Sequence, residues 1–320
     1  MMITHELPKS DRPGSMAPAA RQIQSLRDIG IDIEVVELRG RQKWKYFPAL
    51  ANVYRKLGTV DLVHAHFGYC AWLARLQFTK PVVVSFMGDD LLGTVGETGT
   101  VKPLSKVVVQ INRFIARTAD AVIVKSAGMA QVIQNIPANI VPNGVDIDIF
   151  HPIPRQEAKQ RLNWDLDKHY ILLPGNPNDP NKGYALASAS TKYAQTLTHE
   201  SLELVALHKV SPDDVPLYMN ACSVMIMASF SEGSPNVVKE AMACNTPIIS
   251  VDVGDTVQTL AGVAGCTIAP RDPEIIGEMI VNTIRHTPTS GGRDAIISRK
   301  LDLVNVAERI VEIYRNLYTE

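Results

Sequence analysis

The chain alternates short apolar runs rich in Val and Ile with longer stretches whose apolar residues recur at helical spacing. In the first half the strand candidates are "IDIEVVEL", "VDLVHAH", "PVVVSF", "DAVIVKS" and "NIVPNG", preceded by a short opening run, "MMITH". Helical stretches fall between them, near residues 17–29, 46–57, 68–77, 103–118 and 126–135. Strands separated by helices of this length predict right-handed βαβ units and a parallel sheet. Continuous runs such as Val82–Val84 suit strands covered on both faces. The pattern then restarts. The Pro- and Gly-rich stretch "VPNGVDIDIFHPIPRQ" reads as a linker, and after it come "HYILLPG", "LELVAL", "SVMIMAS", "TPIISVD" and "CTIAP". Helices are predicted near 182–195, 213–222, 235–244, 272–284 and 302–318. The fold class is α/β, with two Rossmann-like domains at 1–150 and 151–300 and a closing helix at 301–320. That helix has an apolar stripe at Leu303, Val306, Ile310, Ile313 and Leu317. Two parallel sheets whose strand C-termini face a shared cleft would bind ligand at that edge.

Composition changes this picture little. At 320 residues the chain exceeds what one core usually serves, and 46% apolar with 20% charged residues is ordinary for a globular protein. No apolar run approaches the roughly 18–20 residues needed to cross a bilayer. His5, Glu6, Lys9 and Asp11 argue against a secretory leader, so a cytoplasmic location is expected, with membrane association left open. Cys70, Cys222, Cys244 and Cys266 match no metal-ligand spacing and are expected to be buried free thiols. The net charge is −1, but residues 1–150 hold 17 Lys/Arg against 13 Asp/Glu, and the remainder 15 against 20. The basic first half suits an anionic partner. Its run "RGRQKWKYF", Arg39–Phe47, reads either as a contact with an anionic membrane or as a solvated loop. One short basic run in a near-neutral chain does not suit nucleic acid.

The most informative stretch is "SEGSPNVVKEAMA", Ser231–Ala243. Pro235 fits the first position of a helix, with Ser234 as N-cap. The opening amides, at Asn236 and Val237, then form an anion site with the helix dipole behind it, suited to a diphosphate. Glu240 lies about one and a half turns in and leans back toward the helix start, where it can accept hydrogen bonds from a ribose diol. Glu232, in the loop before the cap, can reach the group beyond the phosphates. Spacing alone fits equally a helix with one dipole-pairing acid and one surface acid.

Four stretches carry a resemblance. "EGSPNVVKEAMACNTPIIS" resembles the E-x7-E signature of retaining glycosyltransferases of family 4, which have the two-domain GT-B fold. "IVPNGVDIDIFHP" is similar to that family's interdomain stretch, and "VDLVHAHFG" and "PVVVSFMGDD" to its acceptor-domain strands. The resemblance implies transfer of a sugar from a nucleotide-diphosphate sugar (UDP- or GDP-linked) to a hydroxyl of a glycan or lipid-linked saccharide, in cell-surface polysaccharide synthesis. It implies retention of configuration, no metal and no separate cofactor. Glu240 would hold the ribose, Glu232 the donor sugar, and the amides of Gly233, Ser234, Asn236 and Val237 the diphosphate. Val210 would pack on the base, and the closing helix would pack back toward the first domain. With no metal, cations must neutralise the leaving group. The family's G-R-x5-K-G reads here "PGNPNDPNKG": Lys182 matches, but Asn176 replaces the Arg, and Lys209 is a compensating candidate.

Two more departures follow. In "SFMGDD" Met87 stands where the family often has His, which leaves Asp90, Asp89 and His66 as groups to assist the acceptor hydroxyl. Asp90 can equally cap a turn. His66 can equally be structural, and His64 is expected to point to the opposite face and be structural. The phosphate-side loop has Gly14 and Ser15 where Gly-Gly is usual. These departures keep open a catalytically weak or inactive relative that binds nucleotide sugar or supports a partner transferase. A two-domain sugar-nucleotide epimerase would need an acid–base pair at the sugar's C2, and the sequence shows no clear one.

Overall fold

The structure is a computed structural model that describes residues 1–8, 16–39, 45–96, 100–287 and 289–319. Gly14 and Ser15 lie outside those residues, as do Arg41, Lys43 and Trp44 of the basic aromatic run. The chain divides into two compact units. Unit 1 holds Met1–Thr94, Val101–Gly144 and Leu303–Glu320; unit 2 holds Val145–Asp302 with Val95, Gly96 and Thr100.

In unit 1 the elements run β1 (Met2–His5), α1 (Ala17–Asp28), β2 (Val35–Leu38), α2 (Tyr46–Lys56), β3 (Val63–His66), α3 (Gly68–Ala74), β4 (Val82–Ser85), α4 (Asp89–Leu92), α5 (Pro103–Thr118), β5 (Ala121–Val124), α6 (Ala127–Val132) and β6 (Asn139–Ile140). The six strands are parallel, in the order β2-β1-β3-β4-β5-β6. The short opening run suffices because β1 is central. Met2 pairs with Val35 on one side and His64 on the other, and Ile3 is fully buried. One core face packs Ala49 and Val53 of α2, Cys70 and Leu73 of α3, Ala116 of α5 and Met129 of α6. The other packs Ile23 and Leu26 of α1 against α14 (Leu303–Asn316), whose buried stripe is Val306, Ala307, Ile310 and Ile313.

Unit 2 runs α7 (Arg155–Arg161), β7 (His169–Pro174), α8 (Tyr184–Thr196), β8 (Leu202–Leu207), α9 (Val215–Ala221), β9 (Val224–Met227), α10 (Asn236–Ala243), β10 (Ile248–Val251), α11 (Thr256–Leu260), β11 (Cys266–Ala269), α12 (Pro273–His286) and α13 (Gly292–Ser298). Its five strands are also parallel, ordered β11-β10-β9-β7-β8. The chain therefore leaves β7 for one neighbour and β9 for the other. This reversal opens a crevice at the C-terminal ends of β7 and β9, where parallel α/β sheets bind their ligands.

The unit boundary falls between Gly144 and Val145, not at residue 150. The second half of the supposed linker is core. Val145 donates its amide to Leu301 O at 2.9 Å, Phe150 is fully buried, and Arg293 donates to the carbonyls of Ile147 and Phe150. The four cysteines are free. Burial pushes the thiol of Cys222 up to about 12 and that of Cys266 to about 11. Among the described residues no helix is long and apolar enough to cross a membrane, and no group of His, Cys, Asp and Glu could hold a metal ion.

Candidate active site

Loops after β7, β9 and β10 meet at the crevice of unit 2, together with Arg271 beyond β11. After β7 the chain turns at Gly175 (φ 102°) and passes Asn176, whose side-chain oxygen accepts from the amide of Asn178 at 3.0 Å. Asn176 thus closes a local turn. A single 3-10 turn, Pro180–Lys182, follows, with Asp179 accepting from Asn181 N. It ends on Gly183 at φ 66°, where a Cβ would stand 2.1 Å from the carbonyl oxygen of Ala228. Only glycine lets the two loops approach this closely. Asn181 fastens them: its side chain donates to Ser231 O (2.9 Å) and accepts from Ser231 N (3.0 Å), and its carbonyl accepts from Phe230 N (2.9 Å). Arg271 adds a third tie, donating to the carbonyls of Ala228 and Ser229 at 3.0 Å each while lying 3.9 Å from the Phe230 ring.

This construction brings Lys182 and Glu232 together. Lys182 Nζ donates to Glu232 Oε1 at 2.7 Å, and both side chains are only partly exposed. Half-sheltered pairs of this kind are stronger than surface ones because less water competes. The expected phosphate cation and the expected sugar-binding acid thus neutralise each other across the crevice.

The start of α10 differs from expectation by one residue. Pro235, with extended backbone, is the N-cap, and Asn236 is the first helical residue. Ser234 does not cap. Its hydroxyl donates to Asp255 Oδ2 at 2.6 Å and accepts from Lys239 Nζ at 2.8 Å. Asp255 arrives from the β10–α11 loop, held close by Gly254 (φ 63°), where a Cβ would meet Gly233 O at 3.0 Å. Lys239 is 1% exposed, and burial pulls its ammonium down from 10.5 to about 8, with Asp255 and then Glu240 pulling the other way. Sequence reading missed this lysine. The available signal is the apolar run around it, Val237, Val238, Ala241, Met242 and Ala243, which leaves α10 little outward face for a charge; in the structure Val238–Ala243 is buried. Glu240 is itself buried, on the same helix. Val210 lies partly buried just past the end of β8, and Lys209 beside it is exposed at φ 57°. The site thus offers a helix start with Gly233, Ser234, Asn236 and Val237, an inner cation beneath it, and an acid–base pair in front: a pocket for an anion flanked by hydroxyls.

The unit 1 candidates are engaged structurally. Asp90 is 2% exposed, and its carboxylate accepts from the amides of Gly68, Met87 and Gly88 at 2.9–3.1 Å. Burial pushes it up to about 6 while those amides pull it down. It caps the turn at Met87–Gly88 and ties it to the start of α3. Its own carbonyl accepts from Asn112 of α5, which in turn accepts from the Trp72 indole. Asp89, at the start of α4, is exposed. His66 is fully buried at the end of β3, 3.3 Å from the side-chain nitrogen of Gln22. Burial, aided by Lys125, lowers it to about 3, so it is neutral near pH 7. Its Nδ1 has no hydrogen-bond partner among the described residues. His64 does not point to the opposite face: the two rings lie 4.7 Å apart. Residues i and i+2 of a strand share a face, so alternation requires this. His64 contacts the Tyr314 hydroxyl and lies 2.8 Å from Ser85 Oγ, joining β3 to α14 and β4.

Comparison with known proteins agrees with this geometry. Residues 10–149 match the model described as Glycosyltransferase Family 4, and residues 157–286 that described as Glycosyl transferases group 1. The D-inositol 3-phosphate glycosyltransferase of Mycolicibacterium paratuberculosis is 26% identical over 283 residues, 73% of this chain and 61% of that protein. The Mycobacterium marinum protein of the same name is 24% identical over 297 residues, 78% of this chain and 60% of that one. The chain therefore spans about three fifths of the length of these curated relatives. Among solved structures, a sucrose-phosphate synthase from Thermosynechococcus elongatus superposes with TM-score 0.78 at 16% identity, covering 99% of this chain and 98% of that one. Anabaena Alr3699/HepE, in complex with UDP and glucose, gives 0.73 at 17%, covering 98% and 99%. These neighbours share the two Rossmann-like domains of the GT-B fold. With two adjoining family models covering most of its length, the chain belongs to the group 1 (family 4) glycosyltransferases.

Proposed function

We propose that the protein transfers a sugar from a nucleotide-diphosphate sugar to a hydroxyl of a glycan or lipid-linked saccharide, with retention of configuration and without a metal. The observation that carries this reading is the Lys182–Glu232 pair at the crevice in front of α10. A diphosphate drawn to the helix start offers Lys182 a stronger partner, and the sugar's hydroxyls give Glu232 donors in exchange. Glu240 receives the ribose, and Asn236, Val237 and Gly233 supply amides to the phosphates. Val210 packs on the base. Solved neighbours bound to UDP, or to UDP and glucose, favour a uridine donor. Stabilising the departing diphosphate is the main catalytic task, and the phosphate itself serves as base for the incoming hydroxyl.

Thermal shift against UDP-, GDP- and ADP-sugars identifies the donor, followed by transfer assays with that donor. Glu240→Ala is expected to weaken nucleotide binding roughly 30-fold, the worth of a charged hydrogen-bonded contact. Lys182→Ala is expected to lower kcat by about two decades. Unchanged values for both would refute the site. A second reading, a weak or inactive relative, is favoured by Asn176, which has no charge and is turned inward on Asn178. Donor binding without turnover on any acceptor would support it.

A further inference from the structure

Helix α5 is 16 residues long and has two unlike sides. Asn112 and Ala116 are buried, and Asn112 is anchored to Asp90 O and the Trp72 indole, which fixes the rotation of the helix. The outward side presents Leu104, Val107, Ile111 and Phe114, at 78%, 56%, 41% and 61% exposure. Their spacing of three, four and three residues lines them along one stripe about 15 Å long. Four large apolar side chains aligned in water need a partner.

The charges beside the stripe identify it. No Asp or Glu occurs from Val101 to Ala119, while Lys102, Lys106, Arg113 and Arg117 do. Within the helix, Lys106, Arg113 and Arg117 fall on one row next to the stripe, and among the described residues none of the four pairs with an acid. The neighbouring α3 ends toward Leu76 and Phe78, at 49% and 84% exposure, and Gly68–Lys80 also contains no acid. Asp120, just past the helix, is paired with Arg75 at the end of α3, so the unpaired charge beside the stripe is basic; an apolar stripe with a basic flank is the pattern of a helix lying in a lipid interface. A second copy of the chain fits poorly. A two-fold contact along this stripe would set each basic row against the other, with no carboxylate on the helix to offset it.

We propose that this face of unit 1, centred on α5, docks on an anionic lipid bilayer. The apolar stripe enters the acyl boundary, and the basic row meets lipid phosphates. The surface is distinct from the run Arg39–Phe47 singled out in the sequence. For a transferase it would hold the acceptor-binding unit at the surface where a lipid-linked acceptor resides.

The test is flotation of the full chain with phosphatidylcholine vesicles, with or without about one third phosphatidylglycerol, at low and high salt. Binding is expected only to the anionic vesicles, and to fall with salt. Arg113→Gln with Arg117→Gln should weaken it roughly 25-fold, about fivefold per charge. Ile111→Ser with Phe114→Ser should abolish it. Melting temperatures of both double variants should match the parent's, since these side chains are largely outside the core. No binding to anionic vesicles, or binding indifferent to both double variants, overturns the proposal. So does a serine variant whose only effect is to convert a dimer to a monomer. Nucleotide thermal shifts on the same samples separate this outcome from failure of the transferase reading, because α5 belongs to unit 1 and the crevice residues to unit 2.

Discussion

Lys239→Met is expected to stabilise the unliganded protein while weakening its hold on nucleotide. The ammonium is 1% exposed, and burial moves it from 10.5 to about 8. A depression of that size corresponds to about 3 kcal/mol of preference against the charged form. Methionine matches the length and removes the charge. It also loses the contact to Ser234 Oγ, about 1 kcal/mol, whereas Ser234 keeps its bond to the partly exposed Asp255. The net expectation is a gain of about 2 kcal/mol, or roughly 4–8 °C in the Tm of a unit of this size. The pH dependence supplies a sharper check. Below about pH 8 the lysine is protonated in both folded and unfolded chains, so the whole penalty is present. Between about 8 and 10.5 the unfolded chain binds more protons than the folded one, so parent stability rises with pH. The methionine variant lacks that term. Urea unfolding of both proteins should therefore show a gap in the variant's favour at pH 7 that closes by about pH 10.5. Subtracting the two curves removes the other titrating groups. Nucleoside diphosphate affinity should fall about tenfold with the loss of a cation beneath the helix start. A variant less stable at pH 7, or a gap that does not change with pH, would refute the reasoning.

Glu232→Gln should bind free nucleoside diphosphate several-fold more tightly, because Lys182 is released and a like charge leaves the site; transfer should fall by at least tenfold as the sugar loses its acceptor. Isothermal titration and a turnover assay on one preparation test both halves, and equal losses in both would sink the exchange of partners. Gly183→Ala places a Cβ 2.1 Å from Ala228 O in a left-handed backbone, so a loss of about 3 kcal/mol is expected by urea unfolding. A loss under 1 kcal/mol would show that the two crevice loops are not wedged together.

Much of the fold was legible because it rests on periodicity. The helices predicted near 103–118 and 17–29 are α5 and α1 to within a residue, and the Val/Ile runs are strands. Helices α4, α7, α11 and α13 were not read from the sequence; at four to seven residues they show little period, and the equally short α3, α6 and α9 were placed by the strands on either side of them. The unit boundary was misplaced because turn residues at Pro142–Gly144 and Pro152–Pro154 look alike, while the burial of Phe150 between them is tertiary. At the candidate site, spacing singled out Glu232 and Glu240 without deciding their role, and Lys182 came from the family resemblance alone. Their electrostatic state could not be read. The Lys182–Glu232 contact spans 50 residues, and the Ser234–Asp255 contact spans 21. The same holds for Asp90: the resemblance to His-Gly-x-Asp suggested chemistry and left a turn cap open, and the three amides converging on it show the cap.

On the proposed reading, the charges gathered at the crevice bear on how a chain with Asn176 where the resemblance expects an arginine would bind a diphosphate. Lys182 is cancelled by Glu232, and Lys239 is opposed by Asp255 through Ser234. Arg271 is spent on the carbonyls of Ala228 and Ser229. A site balanced in this way has little long-range pull on an anion, so recognition rests on the α10 amides and on contacts that form only when Glu232 lets go. Glu232 lets go at little cost only if something else donates to it. A bare diphosphate cannot, whereas a donor carrying sugar hydroxyls can. If the proposed site is right, the Lys182–Glu232 pair would favour the complete donor over its product, nucleoside diphosphate, and the discrimination would come from the carboxylate rather than from added positive charge. An arginine at position 176 would raise affinity for both and dilute that preference.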